Sequence, residues 1–575
     1  MQKKRIGELI KKIRVQQGVT QKQLCDGLCS IQTLSNIESA ERMPDVFLVE
    51  YLLQRLGVSP DDLEIVLFDN EYCEIELRDS IEEKIEQGRV EEAEALLEEN
   101  LKSDRGISGQ YYYQIKAVFA SIQMDYEKSL KCIEKALACT HFDFSKQGKS
   151  GKLLSTREIE LLCMMVEEYL FIEDKAKAKE IVDFLAMYLE THAIQDMELV
   201  KTYPKMAYLS AYFANSNKEK VESTSRCEKA FQLLTSRAST VFLAEIMKLL
   251  IEQYRELNLV NKAIRLEKQL DSLETLYQEY GGCADATQNH MKWFKESCRK
   301  EYLLCEELIR GERLARGLKR SELIEGIYED PETLMRIENG SQSPSYKKYE
   351  LLMRRLNMSI EKYSGSPISD EDVVFQSKNK IGQHLIKHDY EEAREELEKL
   401  KLLIEDEDYI SKQYIAKEEI YLEYKINQMD AETFRKRTQQ VLALTYAGEL
   451  DGLSRIPTLE EAYIFNYLSL SYRKCNMQEE SLKLYQKLLE CYRKSKVRET
   501  YHYRILTILH RNYLALLEEM ERKEDALKVA EAAMKFELSA SRGKGLDYIC
   551  TEIMCVYEKL EINDSEKKKA IEKYL

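Results

Sequence analysis

The sequence predicts an all-α protein in which one arrangement, a small head of short helices followed by an array of paired amphipathic helices, is written twice. Three observations lead there. Only 7 prolines interrupt 575 residues, and 33% of the residues are charged, set in long Glu/Lys/Leu/Ala-rich runs. That composition suits helices with one solvated and one buried face. A chain of this length exceeds what one hydrophobic core supports, so several domains or a repeat array are expected. Finally, the residue pattern of the first head returns in the second half of the chain, with Thr333–Glu338 repeating Thr33–Glu38.

Within the first head, Gly18 to Glu38 reads G-V-T-Q-K-Q-L-C-D-G-L-C-S-I-Q-T-L-S-N-I-E and organises what surrounds it. Thr20 is placed to cap a short helix, and Gln23, three residues on, completes a capping box. Leu24 and Leu28 give that helix its apolar side, a tight turn follows at Cys29-Ser30, and Leu34 and Ile37 give the next helix its own. Two short helices joined by a turn, the second presenting small polar side chains, make the sequence form of a helix-turn-helix reader. After a loop containing Pro44, a helix is expected over Val49–Val58. Ser59-Pro60 is expected to open another, with Pro at the first turn where its missing N–H is tolerated. Leu9, Ile13, Leu24, Leu28, Leu34, Ile37, Leu52, Leu53 and Leu56 are the expected core.

Residues 6–38 resemble the N-terminal domain of the Xre/Cro-type regulators, and Ile10–Leu24 (I-K-K-I-R-V-Q-Q-G-V-T-Q-K-Q-L) resembles in particular the PlcR-like members of the RNPP family. The resemblance implies a DNA-binding domain, residues 1–68, ahead of tetratricopeptide-like repeats that bind a short signalling peptide of the quorum-sensing type. It also implies contacts: Gln21 with Lys22 to the phosphate backbone, and Ser30, Gln32, Thr33 and Asn36 to base edges in the major groove. Ile31 and Asn36 stand where PlcR-like members tend to carry Gln and Arg, so a different operator is implied, with Ile31 suited to a thymine methyl.

Residues 75–298 change to paired amphipathic helices. Ile81–Leu97 places Gly88 at a helix end and Ala93 where the next helix must approach its partner closely. Similar joints recur at Asp125–Ser129, Asp174–Ala178 and Asn261–Ala263, at spacings of roughly 36 to 50 residues that bracket the tetratricopeptide period. One pair cannot bury its apolar face alone. Stacked into a right-handed α-superhelix, the pairs share a core and leave an inner groove.

The second half follows the same order. Glu307-Leu308-Ile309-Arg310 answers Glu8-Leu9-Ile10-Lys11, Gly317 answers Gly18, Leu323 answers Leu24, and T-L-M-R-I-E at Thr333–Glu338 answers T-L-S-N-I-E at Thr33–Glu38. Glu391-Glu392-Ala393 echoes Glu91-Glu92-Ala93, and Glu552-Ile553-Met554 echoes Glu245-Ile246-Met247. The reading is a tandem duplication, with a second, diverged helix-turn-helix domain at 303–363 and a second tetratricopeptide-like array at 370–575. Its seams are expected at 281–302, beginning with Gly281-Gly282, and at Gly365-Ser366-Pro367.

The halves diverge in opposite directions. In the first head Lys3, Lys4, Arg5, Lys11, Lys12, Arg14 and Lys22 face only Glu8 and Asp26 within the first 36 residues, a basic patch on a chain of net charge −16. In the second, Lys319-Arg320 replaces Thr-Gln, and Glu329-Asp330-Pro331-Glu332 opens the would-be reading helix, where carboxylates repel phosphates. That head is expected to pack or dimerise, with Arg310, Arg313, Arg316, Lys347 and Lys348 leaving backbone-only contact open. In the repeats the resemblance implies amide side chains on the inner helices that hold an extended peptide. Asn466 and Asn512, with Tyr463 and Tyr467, are the peptide-binding residues this implies, and Tyr472, Tyr503 and Tyr513 line the same groove. The matching stretches of the first half read Cys163-Met164 and Ala207-Tyr208, without an amide.

The expected function is a sequence-specific, peptide-sensing transcription regulator. Its partners are a double-stranded DNA operator, a short signalling peptide and a second copy of the chain in a homodimer. A rival reading, from the Rap-like members of the same family, is a repeat protein that binds and sequesters a regulator protein, with vestigial heads. No stretch approaches 18 apolar residues, so the chain is expected to be cytoplasmic and off the membrane. The 14 cysteines are scattered, and Cys25, Cys29, Cys550 and Cys555 are expected to be reduced thiols. No Gly-rich phosphate loop or metal-ligand spacing occurs, and His141, His192 and His290 lie apart, so no enzyme activity, catalytic residue, cofactor or metal is assigned.

Overall fold

The computed structural model describes residues 6–144, 152–282, 284–285, 289–297, 299–358, 361–365, 373–403, 409–426, 429–448, 453, 455–543, 545–559 and 566–574. Lys3, Lys4, Arg5, Ser366 and Pro367 lie outside them. The chain forms two compact units, one of Met1–Asp61, Glu74–Cys298 and Glu531–Leu575, the other of Asp62–Cys73 and Arg299–Ala530.

The first unit begins with α1 (Ile6–Gln16), α2 (Gln21–Cys25), α3 (Ile31–Glu38) and α4 (Val46–Arg55). Thr20 and Gln23 close the expected capping box on α2, and the Ser30 hydroxyl accepts from the Thr33 N–H to cap α3. Helix α4 starts at Val46 rather than Val49, because Asp45 caps it through the Leu48 N–H. Ile10, Ile13, Leu24, Leu34, Ile37, Leu52, Leu53 and Leu56 are buried. Leu9 and Leu28 are only half-buried, since Ile10 rather than Leu9 falls on the inward face of α1.

Pairs of antiparallel-type repeat helices follow: α5 (Asp69–Glu86) with α6 (Val90–Asn100), α7 (Gly106–Ile122) with α8 (Tyr126–Cys139), and α9 (Thr156–Phe171) with α10 (Lys175–Thr191). Then come α11 (Asp196–Ala211) with α12 (Asn217–Ser236), and α13 (Leu243–Glu256) with α14 (Val260–Tyr280). The first helices of successive pairs touch, α9 to α11 and α11 to α13, as the stacking of helical repeats requires. In four of these five pairs the turn is built one way: Gly88, Met124, Glu173 and Asn258 have φ between 58° and 74°, each two residues before the second helix. Asp125 and Asp174 cap those second helices, as Asn/Asp-type caps do.

The second unit contains a matching series. Helices α15 (Cys305–Ala315), α16 (Arg320–Ile324), α17 (Pro331–Glu338) and α18 (Tyr346–Arg355) have the same 11, 5, 8 and 10 residues as α1–α4. Repeat pairs then run α19 (Val373–Lys387) with α20 (Tyr390–Lys401), α21 (Tyr409–Lys425) with α22 (Ala431–Leu442), and α23 (Leu459–Lys474) with α24 (Gln478–Lys494). The next is α25 (Tyr503–Glu519) with α26 (Lys523–Ser539); from Glu531 on the chain belongs to the first unit, which therefore holds the final pair, α27 (Leu546–Lys559) with α28 (Glu566–Tyr574). His388, Asn476 and Glu521 take the left-handed turn position. Helices α13 and α27 both start on Leu and span 14 residues, Leu243 matching Leu546. The Glu245-Ile246-Met247 and Glu552-Ile553-Met554 echo is therefore about one helical turn out of register.

A buried polar network repeats as well. Gln110 donates to the Ala136 carbonyl and the Thr140 hydroxyl, and Thr140 donates to Glu158. Gln413 donates to the Val441 carbonyl and to Thr445, and Thr445 donates to Glu461. Buried amides and carboxylates are costly unless satisfied, so each network pins one helix pair to the next.

The all-α expectation needs one correction. After a 3-10 turn at Pro60–Asp62 the chain forms a strand, β1 (Leu63–Leu67), not the helix expected from Ser59-Pro60. In the second unit β1 pairs parallel with β2 (Glu301–Leu304) and antiparallel with β3 (Tyr363–Gly365), in the order β2-β1-β3. All five residues of Leu-Glu-Ile-Val-Leu are buried, the condition of a central strand covered on both faces. Among the described residues no helix is long and apolar enough to cross a membrane.

Candidate nucleic-acid interface and repeat grooves

In the first head α1 and α3 cross at Gly7, where a Cβ would stand 1.7 Å from the Ile37 carbonyl oxygen. Only glycine permits that approach. The crossing brings Arg14 onto the buried Glu38 carboxylate: Nε donates to Oε1 at 2.6 Å and Nη2 to Oε2 at 2.8 Å, a bidentate pair. Arg14 Nη1 also donates to the Val19 carbonyl at 2.9 Å, and Gln21 Nε2 donates to Glu38 Oε2 at 2.8 Å. Glu38 thus ties α1, the turn before α2, and α2 itself to the end of α3. The tie fixes the angle at which α3 is presented.

The face left open contains the expected contacts. Lys22, Ser30, Gln32 and Ile31 are exposed, Ile31 at 49%, while Gln21, Thr33 and Asn36 are half-buried. The Ser30 and Thr33 hydroxyls lie 2.9 Å apart, and Gln32 Nε2 donates to Asn36 Oδ1 at 2.8 Å. A carboxamide pair held side by side on a helix retains a donor and an acceptor on one edge, the pattern that meets adenine N6 and N7. Beside it a shallow concavity is lined by Lys11, Val19, Thr20, Gln21, Ser35 and Ser39.

The second head keeps this frame and changes its surface. Arg313 forks onto Glu338 and donates to the Leu318 carbonyl at 2.8 Å; Arg320 takes the place of Gln21, donating to Glu338 Oε2 at 2.8 Å. Where the first head exposes Ser30 and Gln32, the second exposes Glu329, Asp330 and Glu332, with Asp330 capping α17 through the Glu332 N–H. Arg336 lies 3.6 Å from Glu332.

The heads are also fastened to their repeats differently. Arg55 donates to the Leu24 and Asp26 carbonyls and to Glu158 Oε1 at 2.8 Å, with neither side chain of that ion pair exposed. Burial alone would raise the Glu158 carboxyl, but Arg55, Thr140 and the Ser155 N–H outweigh it and hold the group below its ordinary value. Arg355 makes the same two carbonyl contacts but is exposed, and Glu461 instead receives Arg455, which also binds Glu312 of α15 at 2.8 Å.

The first repeat face is occupied by the chain itself. Lys205 on α11 donates to Glu160 at 2.6 Å and to the Trp293 and Lys295 carbonyls at 2.7 and 3.1 Å. Trp293, only 2% exposed, donates its indole N–H to Glu167 at 2.8 Å and stacks on Phe242. The segment Met291–Ser297 therefore lies across the first helices of the pairs, α9 and α11. Cys163, Met164 and Ala207 are buried here and Tyr208 is half-buried.

In the second half, Asn466 on α23 and Asn512 on α25 are half-buried and adjacent: Asn512 Nδ2 donates to Asn466 Oδ1 at 2.8 Å, and the Tyr485 hydroxyl donates to the same oxygen at 2.9 Å. Both asparagines are on first helices of their pairs. Tyr467 stacks on Tyr421 at 4.6 Å and donates to Glu418, while Lys417 lies 5.1 Å from the Tyr463 ring. Burial pushes the Tyr467 phenol well up, and Glu418 adds to it. Tyr503 and Tyr513 are buried core residues rather than groove lining, because α25 turns them inward. Arg14, expected as part of the basic patch, has its guanidinium taken up by Glu38; Glu38, Lys205 and Trp293 were not singled out from the sequence, and the one signal for the Arg14–Glu38 pair is that it recurs as Arg313 and Glu338. Among the described residues no group of three or more His, Cys, Asp or Glu is arranged to hold a metal ion.

Comparison with known proteins places a helix-turn-helix family match at residues 10–63. No curated protein matches the chain. Among solved structures, Bacillus thuringiensis PlcR in complex with the peptide PapR7 and DNA is 19% identical, covering 47% of this chain and 92% of that one, with a TM-score of 0.31. PlcR in its apo form is 16% identical over the same shares, with a TM-score of 0.30. The APC/C hetero-tetramer Cut9-Hcn1 is 12% identical, covering 81% of this chain and 96% of that one, with a TM-score of 0.22.

Proposed function

We propose that this chain is a sequence-specific DNA-binding transcription regulator, a tandem duplication in which the first head reads DNA and the second repeat array senses a short peptide. The observation that carries the proposal is the edge of α3. A helix fixed by a buried Arg14–Glu38–Gln21 cluster presents Ser30, Ile31, Gln32, Thr33 and Asn36 outward, with Lys22 and Lys11 beside them. Gln21 reaches phosphate in this reading while it braces Glu38. The corresponding edge of α17 is acidic and exposed, so the second head contributes structure rather than base contacts.

The repeats divide the work the other way. The first groove is filled by Met291–Ser297, which leaves the Asn466–Asn512 pair as the place for an extended peptide. Their mutual bond uses one oxygen and one N–H; the Asn466 Nδ2 donor and the Asn512 Oδ1 acceptor then match one peptide unit of a ligand main chain. Tyr463 and Tyr467 supply apolar walls beside it.

Selection of bound duplexes from a random pool by the full chain tests the reading. A single enriched sequence is expected, with Gln32→Ala lowering affinity for it by roughly 5- to 150-fold, as loss of one bidentate base contact does. Failure to enrich any sequence, or enrichment that Gln32→Ala leaves untouched, overturns it.

A further inference from the structure

Two of the chain's pairings join segments that correspond to each other in the two halves, and each is centred on a matched residue pair. In the second unit, β1 meets β3 in the register Leu63↔Gly365, Glu64↔Ser364 and Ile65↔Tyr363. Position 63 faces 365, and position 65 faces 363, so exchanging the halves by their 300-residue offset returns the same register about Glu64 and Ser364. In the first unit, Ser239 bridges Arg542 antiparallel. Thr240 N–H donates to the Ser541 carbonyl at 3.0 Å, and Gly543 N–H donates to the Ala238 carbonyl at 2.9 Å. With Leu243 matched to Leu546, Ala238 corresponds to Ser541 and Thr240 to Gly543, so these two bonds are one bond written twice. Ala238 and Ser541 also share a left-handed backbone, with φ of 50° and 53°. The second helices of the two pairs that follow, α14 and α28, pack on each other, with Ser272 donating to the Lys573 carbonyl.

An antiparallel pairing that maps onto itself when its strands are exchanged is the signature of a two-fold, isologous contact between identical surfaces. Unrelated segments have no reason to meet at matched positions, still less at two separate places. Each compact unit, moreover, mixes the halves: residues 62–73 of the first lie with 299–530, and 531–575 lie with the first half. We infer that the chain carries its own dimer partner: surfaces that two copies would present to one another are filled within one polypeptide, and the DNA-binding particle is a single chain with a single reading head. Strand β1 is paired on both edges, which leaves it no free edge for another copy. The inference rests on the doubled reading of the chain above and replaces the homodimer expected from the sequence. It also gives the operator a form. One competent head per particle calls for one half-site, an asymmetric duplex rather than a palindrome.

Light scattering on the purified full chain at micromolar concentration is expected to give 67.5 kDa; a particle of twice that mass overturns the inference. Ile65→Cys with Tyr363→Cys places two thiols on directly opposite residues, and Ser239→Cys with Arg542→Cys does so at the other seam should the first pair disturb the sheet. After oxidation each pair is expected to migrate as one cross-linked chain on a non-reducing gel. Disulfide-linked dimers would instead show that the segments are exchanged between copies. These measurements need no DNA, so they stand apart from the failure of the regulator reading. On a duplex obtained by selection, one protected half-site per chain is expected, and two symmetric half-sites covered by one chain would overturn the single-head part.

Discussion

The two heads have the same frame and different skins. Helix lengths agree element by element, and in both an arginine on the first helix forks onto the glutamate that ends the third. Yet the edge of the third helix is Ser-Ile-Gln-Thr in one and Glu-Asp-Pro-Glu-Thr in the other, and fastening to the repeats runs through Arg55 on α4 in the first and Glu312 on α15 in the second. A buried ion pair resists change because removing one partner strands a charge in low dielectric, whereas an exposed edge drifts at little cost to folding. Fold similarity between the heads therefore says nothing about shared DNA binding; the surface decides that.

The largest expected difference between the heads lies in their fastening. Arg55→Met leaves the buried Glu158 without its guanidinium, and a loss of about 3–5 kcal/mol is expected in urea unfolding of the first unit. Arg355→Met removes two carbonyl contacts from an exposed side chain, at a cost of about 1 kcal/mol. Equal losses would mean that the second head is held by Arg355 after all and that the contrast drawn from Glu312 and Arg455 is false.

Why the frame was readable and the fastening was not follows from range. The cap at Thr20 and the apolar spacing of Leu24, Leu34 and Ile37 act within a turn or two, so their sequence signal is local. Pro60 misled because proline opens helices and 3-10 turns alike, while the strand that follows depends on partners at Glu301–Leu304 and Tyr363–Gly365, far along the chain. The amphipathic period likewise cannot separate Leu9 from Ile10, neighbours on the edge of one apolar stripe. Of the candidate site, the outward placement of Ser30, Gln32 and Lys22 follows from the same local period. The Gln21–Glu38 and Asn466–Asn512 bonds depend on how helices cross, and no spacing rule encodes that.

A second contrast separates the strands that follow the heads. Glu64 in β1 corresponds to Ser364 in β3, and it is buried beside Glu301 and Glu461. Burial pushes its carboxyl up from 4.5 to about 7, against the Leu459 N–H and Arg504, which pull it down. A raised carboxyl stabilises the fold fully below pH 4.5, where both states are protonated. That stability is lost as pH rises through about 7, because only the unfolded chain ionises freely in between. Other buried carboxyls share this direction, so the informative quantity is a difference. Glu64→Gln is expected to remove roughly 3 kcal/mol of the pH dependence between pH 5 and 8, read from urea midpoints of variant and parent. Identical pH slopes would mean that Glu64 is solvated.

The smallest effect bears most directly on which head meets DNA. Lys22 is exposed beside the α3 edge of the first head, and Arg310 is exposed on α15 of the second. A lysine that neutralises one phosphate releases about one counterion, so its loss lowers the slope of log affinity against log salt by roughly 0.9 and weakens all sequences alike. Lys22→Ala is expected to do this on the selected duplex, and Arg310→Ala to leave the slope where it was. If both substitutions reduce it equally, both heads lie on phosphate. The acidic edge of Glu329, Asp330 and Glu332 would then have to point away from the duplex, and the division between a reading head and a structural one would fail at the charge comparison that motivates it.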